Sequence, residues 1–215
     1  MAVAPSLLAA DFSCLEREIK AVEKAGADFL HLDVMDGNFV PNLTFGPMIV
    51  EAVGKLAKIP IISHLMILNP ERYVEQFVKA GSSLVSFHWE AVPAGHEAII
   101  KKVRAMNCAA GLAINPDTPL VNVEHLLPEI DCLVVMTVFP GFGGQELIAD
   151  AIAKIARAAR LKKEKGYHFV IEVDGGVKPD NAWRVRQEGA QIIVAGTAVF
   201  KCADYAHAIA AIRGS

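Results

Sequence analysis

The chain has 215 residues, enough for one sizeable core and short for two. Its 53% apolar and 21% charged residues make an ordinary globular composition with a generous interior. A net charge of −3 and a pI near 6.2 argue against a broad electrostatic grip on nucleic acid or membrane, and leave room only for a local anion site.

Short β-rich apolar runs alternate with amphipathic stretches along the chain. Strands are expected at 3–8, 29–35, 61–66, 84–88, 109–114, 132–138, 169–174 and 192–195. Helices are expected near 12–25, 47–57, 70–80, 95–106, 119–127, 146–165, 179–188 and 204–213. Asn69 reads as an N-cap ahead of Pro70, Lys178-Pro179-Asp180 opens a helix in a similar way, and Gly26, Gly81, Gly166 and Gly189 mark helix ends.

Three segments share a layout: KAGADFLHLD (24–33), KAGSSLVSFH (79–88) and QEGAQIIVAG (187–196). Each is a helix end, a glycine and then a strand. Repetition of such units, each roughly 25 residues, points to βα repeats. Eight units point to one closed (β/α)₈ barrel over residues 1–215, with an open doubly wound sheet as the alternative.

Reactive groups of such barrels sit at the C-terminal ends of strands. In the second run, alternation puts Leu30, Leu32 and Val34 on one face and His31, Asp33 and Met35 on the other, toward the lumen. An imidazole and a carboxylate two residues apart form half of a metal site; a hydrogen-bonded core pair is the structural alternative. His64 ends the third run and Asp174 the seventh, across the lumen from the second. Two imidazoles and two carboxylates suit Zn²⁺, Fe²⁺, Mn²⁺ or Co²⁺ better than Ca²⁺.

Glycines cluster after the last three strands. Gly141, Gly143 and Gly144 surround Phe142 in the segment 139–145 and are expected to offer backbone N–H groups to an anion at a helix N-terminus. Gly175 and Gly176 follow strand seven, and Gly196 and Thr197 follow strand eight, the usual place for a barrel phosphate site. Met35, Met66 and Met136 are expected to face inward near the mouth. Trp89 and Trp183 read as packing residues, and Asp36 as a turn residue. Cys14, Cys108, Cys132 and Cys202 form no C-x-x-C pair and read as reduced thiols. The N-terminus has no basic leader segment, and no apolar run reaches the roughly 18 residues that span a bilayer, so a cytoplasmic protein is expected.

The segments APSLLAADF (4–12), HLDVMDGNFVPNLTFGP (31–47), HLM (64–66), MTVFPGFGGQ (136–145), EVDGGV (172–177) and AGTAVF (195–200) resemble, in order, the ribulose-phosphate 3-epimerase family. The resemblance implies a metal-dependent isomerase of pentose-phosphate metabolism that interconverts D-ribulose 5-phosphate and D-xylulose 5-phosphate. It implies His31, Asp33, His64 and Asp174 as ligands of one divalent cation, and Asp33 and Asp174 as an acid/base pair transferring a proton through an enediolate. Ser6 and His64 are implied as substrate contacts. Gly141, Phe142, Gly143, Gly144, Gly175, Gly176, Gly196 and Thr197 are implied as phosphate loops, and Met35, Met66 and Met136 as the lining of the reacting carbon. The family also implies a homo-oligomer, dimer or hexamer. Leu147 stands where an aromatic is common, and Thr197 where serine is more usual. A Gly-Thr pair also occurs in allulose-6-phosphate 3-epimerases, which remain the alternative. A phosphate-binding barrel lyase of the orotidine type fits poorly, because Asp33-Val34-Met35-Asp36 lacks the lysine of its Asp-x-Lys-x-x-Asp array.

Overall fold

A computed structural model describes residues 1–215. Eight strands, β1 (Ala2–Pro5), β2 (Leu30–Met35), β3 (Ile61–Met66), β4 (Leu84–His88), β5 (Ala109–Ile114), β6 (Cys132–Met136), β7 (Val170–Asp174) and β8 (Ile192–Ala195), form one sheet. All paired neighbours run parallel, each strand beside its sequence neighbours, with β1 on β8. The gap between β1 and β2 is closed by a bridge between Ser6 and His31 and by the Asp28 N–H donating to Val3 O at 3.0 Å. The Asp28 side chain adds a second tie, accepting from the Val3 N–H at 2.8 Å.

The outer layer holds α1 (Leu15–Lys24), α2 (Pro47–Leu56), α3 (Val74–Lys79), α4 (His96–Ala105), α5 (Ile152–Lys165), α6 (Ala182–Gln187), α7 (Thr197–Phe200) and α8 (Tyr205–Arg213). Parallel neighbours need long crossovers, and a helix after a strand supplies them. The expected glycines do end helices: Gly26, Gly81, Gly166 and Gly189 all have positive φ.

Several expected boundaries shift, and one helix is absent. Residues 119–127 form two 3₁₀ turns, Leu120–Asn122 and Glu124–Leu126. Val121, Asn122 and Val123 are weak helix formers, and the ring of Pro128 would clash with the Glu124 carbonyl of a continued α-helix. The first strand stops at Pro5, because the Ser6 hydroxyl accepts from the Leu8 N–H at 3.2 Å and starts a 3₁₀ turn, Leu7–Ala9. Asn69 does not cap its helix. It sits in the left-handed region at φ 51° with no side-chain cap bond, and Pro70 opens a 3₁₀ turn instead. α5 begins at Ile152 rather than near 146, after a 3₁₀ turn over Ala149–Ala151.

The core has two compartments. Leu30, Leu32 and Val34 pack outward with Ile19 and Val22 of α1 and Val50 and Val53 of α2. Ala4, Ile62, Ala113, Cys132, Val134, Ile192 and Val194 fill the lumen. This is the period-two division read from β2, extended round the barrel. Trp89 is partly buried and stacks on His96 at 5.9 Å. Trp183 is not a packing residue: Ala182 and Val185 are the buried positions of α6, and the turn between them leaves Trp183 50% exposed. No helix is long and apolar enough to cross a membrane.

Candidate active site

The strand ends open into a cavity of about 310 Å³, within the size range of small-molecule sites. Ser6, Asp33, Met35, Met66, Met136 and Asp174 line it, as do Gly141, Phe142, Gly143, Gly144, Gly175, Gly176, Gly196 and Thr197. His31 and His64 lie beneath this lining with no exposure. Strand register explains the gathering. Asp33 pairs with His64 and Met35 with Met66 across β2 and β3, while Met136 pairs with Asp174 across β6 and β7.

One donor atom from each of His31, Asp33, His64 and Asp174 falls within 4.8 Å of all the others. His64 Nδ1 lies 3.2 Å from Asp174 Oδ2 and 3.9 Å from Asp33 Oδ1. His31 Nδ1 lies 3.4 Å from Asp33 Oδ2, which also accepts from the Ser6 hydroxyl. Behind the cluster, His31 Nε2 lies 3.3 Å from Glu172 Oε1. Neither that nitrogen nor either Glu172 oxygen has a well-aligned hydrogen bond, and all are buried.

Burial opposes charge on His31, but Asp33, Glu172 and Asp174 outweigh it and hold the imidazole well above its ordinary range. Burial also opposes charge on Asp33, and His31, His64 and Ser6 outweigh it, holding that carboxyl below its ordinary range. Both shifts have one cause. Three carboxylates with little or no exposure call for positive charge at this spot, and two imidazoles with two carboxylates are a donor set that a divalent cation suits.

The glycine loops differ in part from expectation. The 139–145 segment does not run into a helix N-terminus, since α5 starts at Ile152. Residues 146–148 lie instead against the segments that follow β6 and β7, with the Ile148 N–H donating to Thr137 O at 2.8 Å. Gln145 braces the loop by donating to Phe139 O at 2.8 Å and Phe142 O at 2.9 Å. Gly176, at φ +67°, faces the Leu147 backbone so closely that a Cβ has no room. Gly196 does directly open α7. Asp36 is more than a turn residue: its carboxylate accepts from Asn38 and Phe39, and from the Leu68 N–H of the next loop at 2.9 Å.

Three residues were missed as site residues by the sequence reading. His88 Nε2 lies 2.9 Å from His64 Nε2, and His88 Nδ1 lies 3.2 Å from Glu90 Oε2. Burial pushes the His88 imidazole below its ordinary range, with Glu90 pulling the other way. Glu172, the third, stands behind His31. The signal for His88 was present: in the two repeats 24–33 and 79–88 it occupies the position of Asp33.

A model of the ribulose-phosphate 3 epimerase family matches residues 2–200. The chain is 50% identical to a ribulose-phosphate 3-epimerase of Synechocystis sp., covering 99% of this chain and 93% of that protein. It is 48% identical to a ribulose-phosphate 3-epimerase of Bacillus subtilis, covering 99% and 98%. Among solved structures, 3-hexulose-6-phosphate synthase from Salmonella typhimurium superposes with a TM-score of 0.73 at 16% identity, covering 100% of this chain and 97% of that one, a likeness of fold alone. The family match takes in all eight strands and every residue of the cavity floor, and the chain belongs to the ribulose-phosphate 3-epimerase family.

Proposed function

We propose that this protein interconverts D-ribulose 5-phosphate and D-xylulose 5-phosphate, with Asp33 and Asp174 as its acid/base pair. The observation that carries the reading is the meeting of Asp33 from β2 and Asp174 from β7 in one four-donor cluster at the floor of a glycine-rimmed cavity. His31, Asp33, His64 and Asp174 would hold one divalent cation: zinc, iron, manganese or cobalt. When bound, it supplies Lewis-acid polarisation of the α-hydroxyketone.

Epimerisation removes a proton from the carbon next to the carbonyl and returns one to the opposite face. Two carboxylates suit this inversion better than one mobile base. Asp33 takes the proton from one face and Asp174, protonated, delivers one to the other; the roles swap in reverse. The Ser6 hydroxyl holds Asp33 Oδ2 and so fixes the plane of that carboxylate. Met35, Met66 and Met136 exclude water from the reacting carbon. The loops bearing Gly141–Gly144, Gly175, Gly176, Gly196 and Thr197 receive the phosphate through backbone N–H groups.

Purified protein assayed on both pentulose phosphates, before and after chelation and metal return, tests the reading. Epimerisation that survives complete metal removal overturns the metal-assisted route. Allulose 6-phosphate is the comparison substrate, because Thr197 at the phosphate rim is compatible with a longer sugar. Turnover of the hexulose well above the pentulose would reassign the substrate. The proposal also carries a homo-oligomer, dimer or hexamer, for which exposed Leu43, Leu68 and Tyr73 around one groove are suitable, and a reducing cytoplasm, which suits four free thiols. Light scattering reads the first.

A further inference from the structure

We propose that Glu90 and His88 are positioning residues for the metal cluster: acting in line, they hold His64 in the one tautomer that leaves its Nδ1 free for a cation. The inference rests on the metal reading given above and concerns residues outside the four donors.

His64 Nδ1 faces Asp174 and Asp33, so it is the atom that a cation would take. A neutral imidazole carries one N–H, which must then sit on Nε2. That nitrogen lies 2.9 Å from His88 Nε2. The two rings are 13° from parallel with centroids 5.0 Å apart, so the nitrogens meet edge to edge. Two N–H groups cannot face each other at that distance. His88 Nε2 must therefore offer its lone pair, which puts the His88 proton on Nδ1. Nδ1 lies 3.2 Å from Glu90 Oε2, and a carboxylate only accepts.

Glu90 is itself anchored. Its Oε1 accepts from the Asn115 N–H at 2.8 Å and from the Thr118 hydroxyl. Both histidines have no exposure, so water does not redirect the line. Every bond points one way, from metal ligand to carboxylate. A donor in place of the Glu90 oxygen reverses the chain and puts a proton on His64 Nδ1. His31 Nε2 likewise faces a buried carboxylate, Glu172 Oε1 at 3.3 Å, but without a well-aligned hydrogen bond.

Partners of this kind behind a metal-binding histidine change metal affinity by roughly 10–100-fold when removed. The test titrates Co²⁺ into the metal-stripped full chain, followed by visible absorption, with Tm of the metal-free form measured alongside. Glu90→Gln presents one oxygen and one NH₂ where three donors converge. It is expected to lose roughly 10–100-fold in Co²⁺ affinity while its metal-free Tm stays close to wild type. His88→Phe keeps a ring and removes both nitrogens, and is expected to lose as much. His88→Gln, whose carbonyl can accept from His64 Nε2–H, should recover part of the loss. Imidazole nitrogen NMR of the Zn²⁺-loaded wild type should show the proton on Nε2 of His64 and on Nδ1 of His88, a readout that needs no variant to fold. Unchanged Co²⁺ affinity in both Glu90→Gln and His88→Phe, or a His88 proton on Nε2, overturns the proposal while leaving the metal reading intact. A wild type that takes up neither Co²⁺ nor Zn²⁺ overturns both.

Discussion

Strands β2, β3, β4 and β7 bring His31, Asp33, His64, Ser86, His88, Glu172 and Asp174 to the lumen, while β5, β6 and β8 bring Ala113, Cys132, Val134, Ile192 and Val194. The two sets of strands share one pleat and one pattern of backbone bonds, yet the first, three adjacent strands and β7 between β6 and β8, adds polar and ionisable groups to inward Ile62 and Leu84, whereas the second is almost wholly apolar. Alternation decides only that a side chain points inward. Whether the inward position is used for cohesion or for chemistry is set residue by residue. Polar inward residues are costly unless paired, so their convergence from β2, β3 and β4 on one side and β7 on the other marks the candidate site.

The largest test of this division is on the polar strands. Asp33→Asn or Asp174→Asn should lower turnover in both directions by at least about 10²–10⁴-fold, the contribution of a positioned acid or base, while circular dichroism stays unchanged. Near-normal turnover in purified Asp174→Asn would break the comparison at its centre. On the apolar strands, Ile192→Ala should cost about 2–5 kcal/mol in urea unfolding and leave Co²⁺ affinity of the folded protein as it was. If affinity falls with it, the two sets of strands are not independent. At the rim, Gly176→Ala puts a Cβ against the Leu147 backbone at a positive φ; a cost of about 1–3 kcal/mol and a raised KM for the sugar phosphate are expected. Unchanged KM would detach that loop from phosphate binding.

The smallest effect lies outside the lumen, at Asp36. Burial acts to raise its carboxyl pKa, but N–H groups of Leu68, Asn38 and Phe39 outweigh it and hold the pKa below the ordinary value. A lowered folded pKa means that the stabilisation is present at neutral pH and is lost as pH falls through the carboxylate range. The stability difference between wild type and Asp36→Asn should therefore be largest near neutrality and shrink toward zero in acid. A difference that grows on acidification reverses the sign and rejects the cause.

His31, Asp33 and the outward Leu30, Leu32 and Val34 were legible because strand periodicity is local. The helix expected at 119–127 does not form because Val121, Val123 and the following Pro128 oppose it despite the apolar spacing. His88 was legible by the rule that found Asp33, but its use was not. Its nearness to His64 depends on the offset between β3 and β4, where His64 aligns with Ser86 and not with His88.

From the sequence alone came the eight repeating units, the faces taken by the residues of β2, and the glycines at helix ends, all of which follow from backbone preferences over a few residues. Only the closed barrel decided which of those inward groups meet. His64 and Asp174 touch across 110 residues of chain, and Ser6 and Asp33 across 27. No local preference encodes such a separation; it is set when all eight strands register and the ring shuts.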